Sequence, residues 1–381
     1  MDFALSESHV RLAETVREFG EREIRPHAAE WEARAAFPHD AVRKLGAMGL
    51  LGLTLPPDVG GGGADVLSGV LLVEGIARYD ASLGLTVASH TGLASGHLNR
   101  FANDALRRRF LPRMASGEWL GAWCLTEPGS GSDASALRTR AVRDGDHWVL
   151  DGTKMFITQG SVGHVYVVLA STDPAAGQRG ISAFVVPRDA PGLSNGRRIE
   201  KLGLHASDTA EVVFEHVRVP ADHLIGEENQ GFKQALAVLD GGRVGIAAWC
   251  CGIGRGALED AAAFVAAHRS VVDQAEAVAT LGEMSARLDA ARVLIFRAAH
   301  LRERGRPFQV EASMAKLTAS EAAMFCATQA VTLAGAAGAT RALPLERHLR
   351  DAKLGEIGEG TSEVQRLVIA RALLRDALSS L

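Results

Sequence analysis

The sequence runs to 381 residues, 47% of them apolar and 23% charged, with a net charge of −4. That length calls for two or three domains, and the composition excludes an intrinsically disordered chain. Acids and bases are mixed along it, with no basic stripe for nucleic acid and no polybasic run for an anionic membrane.

The first segment reads as helix. Ser6 can cap it, and Val10, Val16, Phe19 and Ile24 fall roughly on one face until Pro26 interrupts. Further helices are predicted over 40–48, 67–78 and 104–115, broken by Pro56-Pro57 and the glycine run 60–63. The Arg107-Arg108-Arg109 cluster reads as a solvated helix face.

After Gly121 the character changes. Asp144-Gly145 and Asp151-Gly152 have hairpin-turn chemistry, and short β-rich runs cover 137–142, 148–150, 155–158, 165–169, 181–186 and 212–219. Long helices are predicted again over 231–267, 275–304, 310–333 and 364–379. The fold class is therefore mainly α with a central β-domain. An N-terminal helical domain (1–120) precedes an antiparallel β-barrel-like middle domain (121–228) and a C-terminal four-helix bundle (229–381).

The four cysteines, Cys124, Cys250, Cys251 and Cys326, lack CxxC spacing and read as reduced, mostly buried thiols of a cytoplasmic protein. The N-terminus has no basic region followed by an apolar one, so no secretory signal is expected. No uninterrupted apolar run has membrane-spanning length. A phosphate-binding GxxxxGK[ST] loop and an HExxH pair are absent, and no metal site is expected. Gly129-Ser130-Gly131 lacks the third glycine and the βαβ setting of a dinucleotide fingerprint. Gly252-Ile253-Gly254-Arg255-Gly256 sits in a helix and reads as close packing. No GxSxG elbow supports a serine hydrolase.

Three segments carry the chemistry. Trp123-Cys124-Leu125-Thr126-Glu127-Pro128-Gly129-Ser130-Gly131-Ser132-Asp133 offers backbone N–H groups and hydroxyls to a polar ring edge. Lys154-Met155-Phe156-Ile157-Thr158-Gln159-Gly160 puts an aromatic on a short strand; Phe156 either stacks on a flat cofactor or fills the core. Gly358-Glu359-Gly360-Thr361-Ser362-Glu363-Val364-Gln365-Arg366 places a carboxylate between two glycines, ahead of a helix with capping-box spacing at Ser362 and Gln365. On spacing alone Glu359 is either a base or an exposed loop glutamate.

Together these segments resemble the acyl-CoA dehydrogenase family over nearly the whole chain. Lys201-Leu202-Gly203, Ala206-Ser207-Asp208-Thr209, Val217-Arg218-Val219-Pro220 and Gly241-Gly242-Arg243-Val244-Gly245 add to the match, which is nearest to short-chain and branched-chain members. The resemblance implies FAD between the middle and C-terminal domains. Trp123, Cys124, Leu125, Thr126, Gly131, Ser132, Phe156, Ile157 and Thr158 would hold its ring, and Thr361, Ser362 and Glu363 would touch its other side. Arg269 and the loop Thr332, Leu333, Ala334, Gly335 and Ala336 would reach the FAD of a neighbouring subunit in a homotetramer, with a dimer as the smaller alternative. Ser132, Asp240, Arg243, Gly358 and Gly360 would contact the acyl-CoA.

By the same resemblance Glu359 removes the α-proton of a short or branched acyl thioester. The β-hydride passes to flavin N5, and an electron-transfer flavoprotein is the acceptor. Some relatives carry the base on an earlier helix, at the position of Gly242. The family's R-x-Q-F-G-x-P stretch is replaced here by the shorter Arg269-Ser270-Val271-Val272-Asp273-Gln274, Thr332 and Ala336 stand for Gln and Gly, and Gly358 stands for the frequent Tyr. Competing readings are a flavin oxidase or monooxygenase, an acyl-carrier-protein (acyl-ACP) dehydrogenase on the same scaffold, and an acyl-thioester-binding protein without FAD.

Overall fold

The computed structural model describes residues 4–270, 272 and 274–379. The first helix, α1 (Glu7–Phe19), is capped by Ser6, whose Oγ accepts the His9 N–H at 3.3 Å. It buries Val16 and Phe19 and runs into a wider π-helical turn, Gly20–Ile24, that buries Ile24. Val10 is 42% exposed and lies off the buried face expected of it. Then follow α2 (Ala28–Arg34), α3 (His39–Ala47), α4 (Val66–Ala77) and α5 (Ala81–Ala88). Asp65 and Asp80 cap α4 and α5 by accepting the Ser68 and Leu83 N–H groups at 2.8 and 2.7 Å. A π-helical turn, Ser89–Ser95, leads through α6 (Gly96–Phe101) to α7 (Asp104–Ala115).

The middle of the chain forms one seven-stranded sheet: β1 (Gly121–Cys124), β2 (Arg140–Asp144), β3 (His147–Thr158), β4 (Val165–Ser171), β5 (Ile181–Pro187), β6 (Leu193–Arg198) and β7 (Thr209–Pro220). Its order is β1-β4-β2-β3-β7-β6, with β5 also paired to β4. The β1–β4 and β2–β4 pairings are parallel and the others antiparallel, so the sheet is mixed where an antiparallel one was expected. Asp144-Gly145 makes its hairpin, with Asp144 opposite His147. Asp151-Gly152 does not turn the chain. It is a bulge inside the single long strand β3, where a Cβ on Gly152 would lie 2.5 Å from Thr139 Oγ1. The strand β4 is buried on both faces: Val165, Val167 and Leu169 pack with α6, α7 and the start of the next helix, and Tyr166, Val168 and Ala170 pack with β3 and β7.

The C-terminal part holds α8 (Gly231–Ala267), α9 (Gln274–Glu303), α10 (Gln309–Ala334), α11 (Leu345–Ala352) and α12 (Ser362–Ser379). The long ones match their predicted spans closely, and α11 went unpredicted. Helices α8, α9 and α10 pack mutually, and α12 lies on α10. On α8, a Cβ at Gly252 would meet Glu74 O at 2.3 Å, at Gly254 Leu288 Cδ2 at 2.5 Å, and at Gly256 Arg78 O at 2.4 Å. These glycines let α8 lie against α4 and α9, the close packing their spacing implied. One apolar core runs from the N-terminal helices through this bundle. By length and composition α8 and 309–339 would each suffice to cross a bilayer, contrary to the sequence reading, but most of the apolar stretch of α8 is buried inside the protein. All four cysteines are unpaired and buried.

Candidate active site

The turn before α12 builds the centre of the site. Thr361, rather than Ser362, caps the helix: its Oγ accepts the Val364 N–H at 3.4 Å and its carbonyl the Gln365 N–H at 3.0 Å. The expected capping box therefore does not form. Gln365 turns back instead, donating from Nε2 to Gly360 O at 2.9 Å and Glu359 O at 3.4 Å. From α10, Lys316 Nζ donates to the same Gly360 O at 2.7 Å. Between these clamps Glu359 takes φ +52° and Gly360 φ +92°. A left-handed glutamate costs about 1 kcal/mol or more, which the clamps must offset.

The left-handed turn aims the Glu359 side chain at α8. A Cβ built at Gly242 would stand 2.2 Å from Glu359 Oε2 and 3.0 Å from Leu93 Cδ2, so any larger residue there would displace the Glu359 carboxyl from this position. Glu359 Oε2 is buried and has no hydrogen-bond partner among the described residues. Burial pushes this carboxyl up to about 7, while the positive charges of Lys316 and Arg243 act in the opposite direction. The Glu359 N–H likewise makes no bond among the described residues. A carboxyl with one buried, unpartnered oxygen and a proton affinity near neutrality has the attributes of a general base.

Flanking Gly242 on α8, Asp240 and Arg243 pair at 2.8 Å. Gln309 donates to Asp240 at 3.3 Å, and Arg243 Nε is buried without a partner. Leu93, beside Glu359, shares an apolar cluster with Trp123 and Leu125. That cluster brings the first chemical segment to Glu359.

The loop after β1 is stapled from below. Lys154, fully buried, donates to Glu127 Oε1 at 2.8 Å and Leu125 O at 3.1 Å, while Glu127 accepts the Arg138 and Thr139 N–H groups at 2.6 and 2.9 Å. Thr126 O accepts the Met155 N–H at 2.8 Å. Trp123 is buried and donates from its indole to His97 Nδ1 at 3.0 Å; His97 Nε2 in turn meets Gln234 Oε1 at 2.9 Å, joining α6, β1 and α8. Burial pushes His97 down to about 4, so it stays neutral. Cys124 is wholly buried, with its thiol pushed up to about 12 by that burial. Gly131 and Ser132 are exposed, Thr126 and Thr158 half-buried, and Ile157 belongs to the core. Phe156 is 59% exposed at φ +57°, held out of the core on a left-handed backbone, so the core-aromatic reading of it fails. Thr361, Ser362 and Glu363 line a hollow of about 240 Å³ together with Glu321, Lys353 and Arg366, and Ser362 Oγ is buried without a partner. Gly358 and Gly360 are half-buried on either side of Glu359.

Other expected residues lie elsewhere. At about 1.5 Å per residue, the end of α8 at Ala267 is about 37 Å from Gly242, and Arg269 lies beyond it, exposed. Thr332, Leu333 and Ala334 end α10, about 24 Å or more along that helix from Lys316, and Gly335 and Ala336 open the 3₁₀ turn beyond it. Val271 and Asp273 of the replaced stretch fall outside the described residues. A larger cavity of about 400 Å³ between α2, α8 and α11 touches none of these groups. Several of its lining charges pair with one another, Arg78 with Glu259 at 2.6 Å and Arg350 with Glu32 at 2.7 Å.

Sequence reasoning missed Lys316, Gln365, His97 and the Lys154–Glu127 staple. Lys316 carried a usable signal: it is a lone charge within the alanine stripe Ala312, Ala315, Ala319 and Ala323.

Comparison with known proteins identifies the family. The acyl-CoA dehydrogenase N-terminal, middle and C-terminal domain models match residues 6–118, 122–217 and 229–374. The short-chain-specific acyl-CoA dehydrogenase of Clostridium acetobutylicum is 41% identical, covering 98% of this chain and 100% of the relative. Butyryl-CoA dehydrogenase from Megasphaera elsdenii superimposes with a TM-score of 0.95 at 37% identity, over 98% of this chain and 100% of its own. A chain solved in work on the electron transferring flavoprotein of Acidaminococcus fermentans superimposes at 0.97 with 39% identity, again over 98% and 100%. With full-length relatives and all three domain models in order, the chain belongs to the acyl-CoA dehydrogenase family, oxidoreductases acting on CH–CH groups.

Proposed function

We propose that this protein oxidises the Cα–Cβ bond of a short-chain acyl-CoA, with Glu359 removing the α-proton. The observation that carries this reading is the buried, unpartnered Glu359 carboxyl, held up at about 7. An α-proton beside a thioester is weakly acidic, so its removal needs a base matched to neutral pH and donors for the developing enolate oxygen. The free Glu359 N–H is such a donor. Asp240, Arg243 and Ser132 would bind the carrier end of the substrate, and Gly358 and Gly360 would border its acyl end.

The residues fit FAD. The exposed Phe156 ring, the backbone of Cys124, Leu125 and Thr126, and the hydroxyls of Ser132 and Thr158 would hold the flavin. The hollow beside Thr361, Ser362 and Glu363, with its orphaned Ser362 hydroxyl, would take another part of the cofactor. When bound, FAD accepts the β-hydrogen as hydride. Arg269 and 332–336 are too far along their helices to serve the Glu359 of their own chain, which favours an assembly, a homotetramer by the family pattern, in which they serve a neighbour's cofactor. An electron-transferring flavoprotein is the proposed acceptor.

Anaerobic titration of the purified flavoprotein with butyryl-CoA should bleach the flavin. Glu359→Gln should bind the thioester yet bleach about 10³–10⁴-fold more slowly, the usual share of a general base. Full, fast bleaching by that variant would overturn the assignment. Consumption of oxygen by the reduced enzyme at catalytic rates would point to the oxidase instead.

One observation favours a second reading of the acyl group. The three atoms nearest a Cβ built at Gly358 all belong to Leu354, at 3.5–3.7 Å, an ordinary contact distance, so the position is not crowded and could border a branched or bulky chain. Steady-state kcat/KM for isobutyryl-CoA and isovaleryl-CoA should then approach that for butyryl-CoA, and Gly358→Tyr should depress the branched substrates selectively. A strong preference for butyryl-CoA in the unsubstituted protein would refute it.

A further inference from the structure

We propose that Lys316 is a positioning residue for the base: it fixes the Glu359–Gly360 turn through Gly360 O and supplies the counter-charge of the Glu359 carboxylate. This rests on the reading of Glu359 as base and assigns a role to a residue that is fully buried.

Lys316 is 0% exposed, and its one hydrogen bond among the described residues goes to Gly360 O at 2.7 Å. No carboxylate lies within 4.0 Å of it among those residues. An ammonium buried without a contact ion pair is costly, and an apolar side chain would suit the surrounding alanine stripe better. The hydrogen bond alone does not explain it, because the uncharged amide of Gln365 already donates to the same oxygen at 2.9 Å. The charge must therefore serve something nearby.

The ionisable groups facing Lys316 are few: Cys250 and Arg243 from α8, Glu356 from the turn after α11, Glu359, and Glu363 at the start of α12. Glu363 is exposed and pairs with Arg366 at 3.9 Å. Burial pushes the Cys250 thiol up to about 12, so it is neutral. Glu356 is engaged by Lys353 at 2.6 Å. Arg243 is engaged by Asp240 at 2.8 Å. What remains is one unpaired ammonium and one unpaired carboxyl, clamped to the same turn. They are separated enough to leave the Glu359 oxygen free for a proton, and near enough for Lys316 to favour its ionised form.

The sign follows. Without the cation, Glu359 keeps its proton to higher pH, and the acid limb of the pH–rate profile moves upward. The test is flavin bleaching by butyryl-CoA as a function of pH in wild type, Lys316→Gln, Lys316→Met and Lys316→Arg holoenzymes. Lys316→Gln retains a donor for Gly360 O and guards against a Lys316→Met that does not fold. Both neutral variants should move the acid limb up by about one pH unit with little change in butyryl-CoA affinity. Lys316→Arg should restore the limb. An acid limb unmoved in Lys316→Gln, whatever happens to the plateau, would overturn the proposal. If Glu359→Gln bleaches normally, the base assignment itself has failed; if it does not bleach and the limb stays fixed, only the role of Lys316 has.

Discussion

Two carboxylates in this molecule lie near a buried lysine and come out differently. At the root of the β1 loop, Glu127 touches Lys154 at 2.8 Å and accepts two backbone N–H groups. Burial alone would raise its proton affinity, but Lys154 and those donors outweigh it, and the carboxyl is held below its ordinary range. Before α12, Glu359 has no such partners: Lys316 is spent on a neighbouring carbonyl and Oε2 is left bare. There desolvation prevails and the carboxyl rises to about 7. Burial is common to both, so it is hydrogen-bond satisfaction that separates a structural ion pair from a reactive group.

Breaking the satisfied pair should have the largest effect on stability. Lys154→Met leaves Glu127 buried without its cation and should cost about 3–5 kcal/mol in urea unfolding. A loss below 1 kcal/mol would mean that the amides alone carry the staple.

Neutralising the unsatisfied carboxyl should do the reverse. The folded value of Glu359, about 7, lies above its reference value of 4.5. Its favourable contribution is therefore complete below 4.5 and is lost as pH rises through 7. Glu359→Gln should accordingly be more stable than wild type by up to about 3 kcal/mol at pH 8, with the gap closing toward pH 5. Equal gaps at the two pH values would contradict a carboxyl that ionises at a cost.

The smallest effect sharpens the geometry. Gly242→Ala places a methyl group where Glu359 Oε2 now sits, 2.2 Å away, and should lower the bleaching rate about tenfold through displacement of the base. Unchanged rates would show that the carboxylate reacts from another rotamer.

Much of the scaffold was legible before any coordinates. The long C-terminal helices are periodic over many turns, and their limits fell within a residue or two of the observed ones. The middle sheet was harder. Strand β1 is short and uniformly buried, β6 is polar along an edge, and neither has the alternation that marks a strand. Asp151-Gly152 misled because a bulge needs the same residue types as a turn. In the site, Phe156 and Glu359 were visible as motif residues, but nothing local could tell exposure from burial. Lys316 and Gln365 were invisible as a pair, since their shared acceptor, Gly360 O, is assembled only when α10 and α12 pack together.

The approach of Gly242 to Glu359 has an evolutionary consequence. Under the proposed mechanism, proton abstraction would be tied to a point in space that two distant chain positions can reach, one on α8 and one on the turn before α12. An acidic residue at either position demands a minimal one at the other, so neither can drift alone. Gly242→Glu should be crippling in this background and tolerable beside Glu359→Gly, which makes the fitness of each allele conditional on its partner.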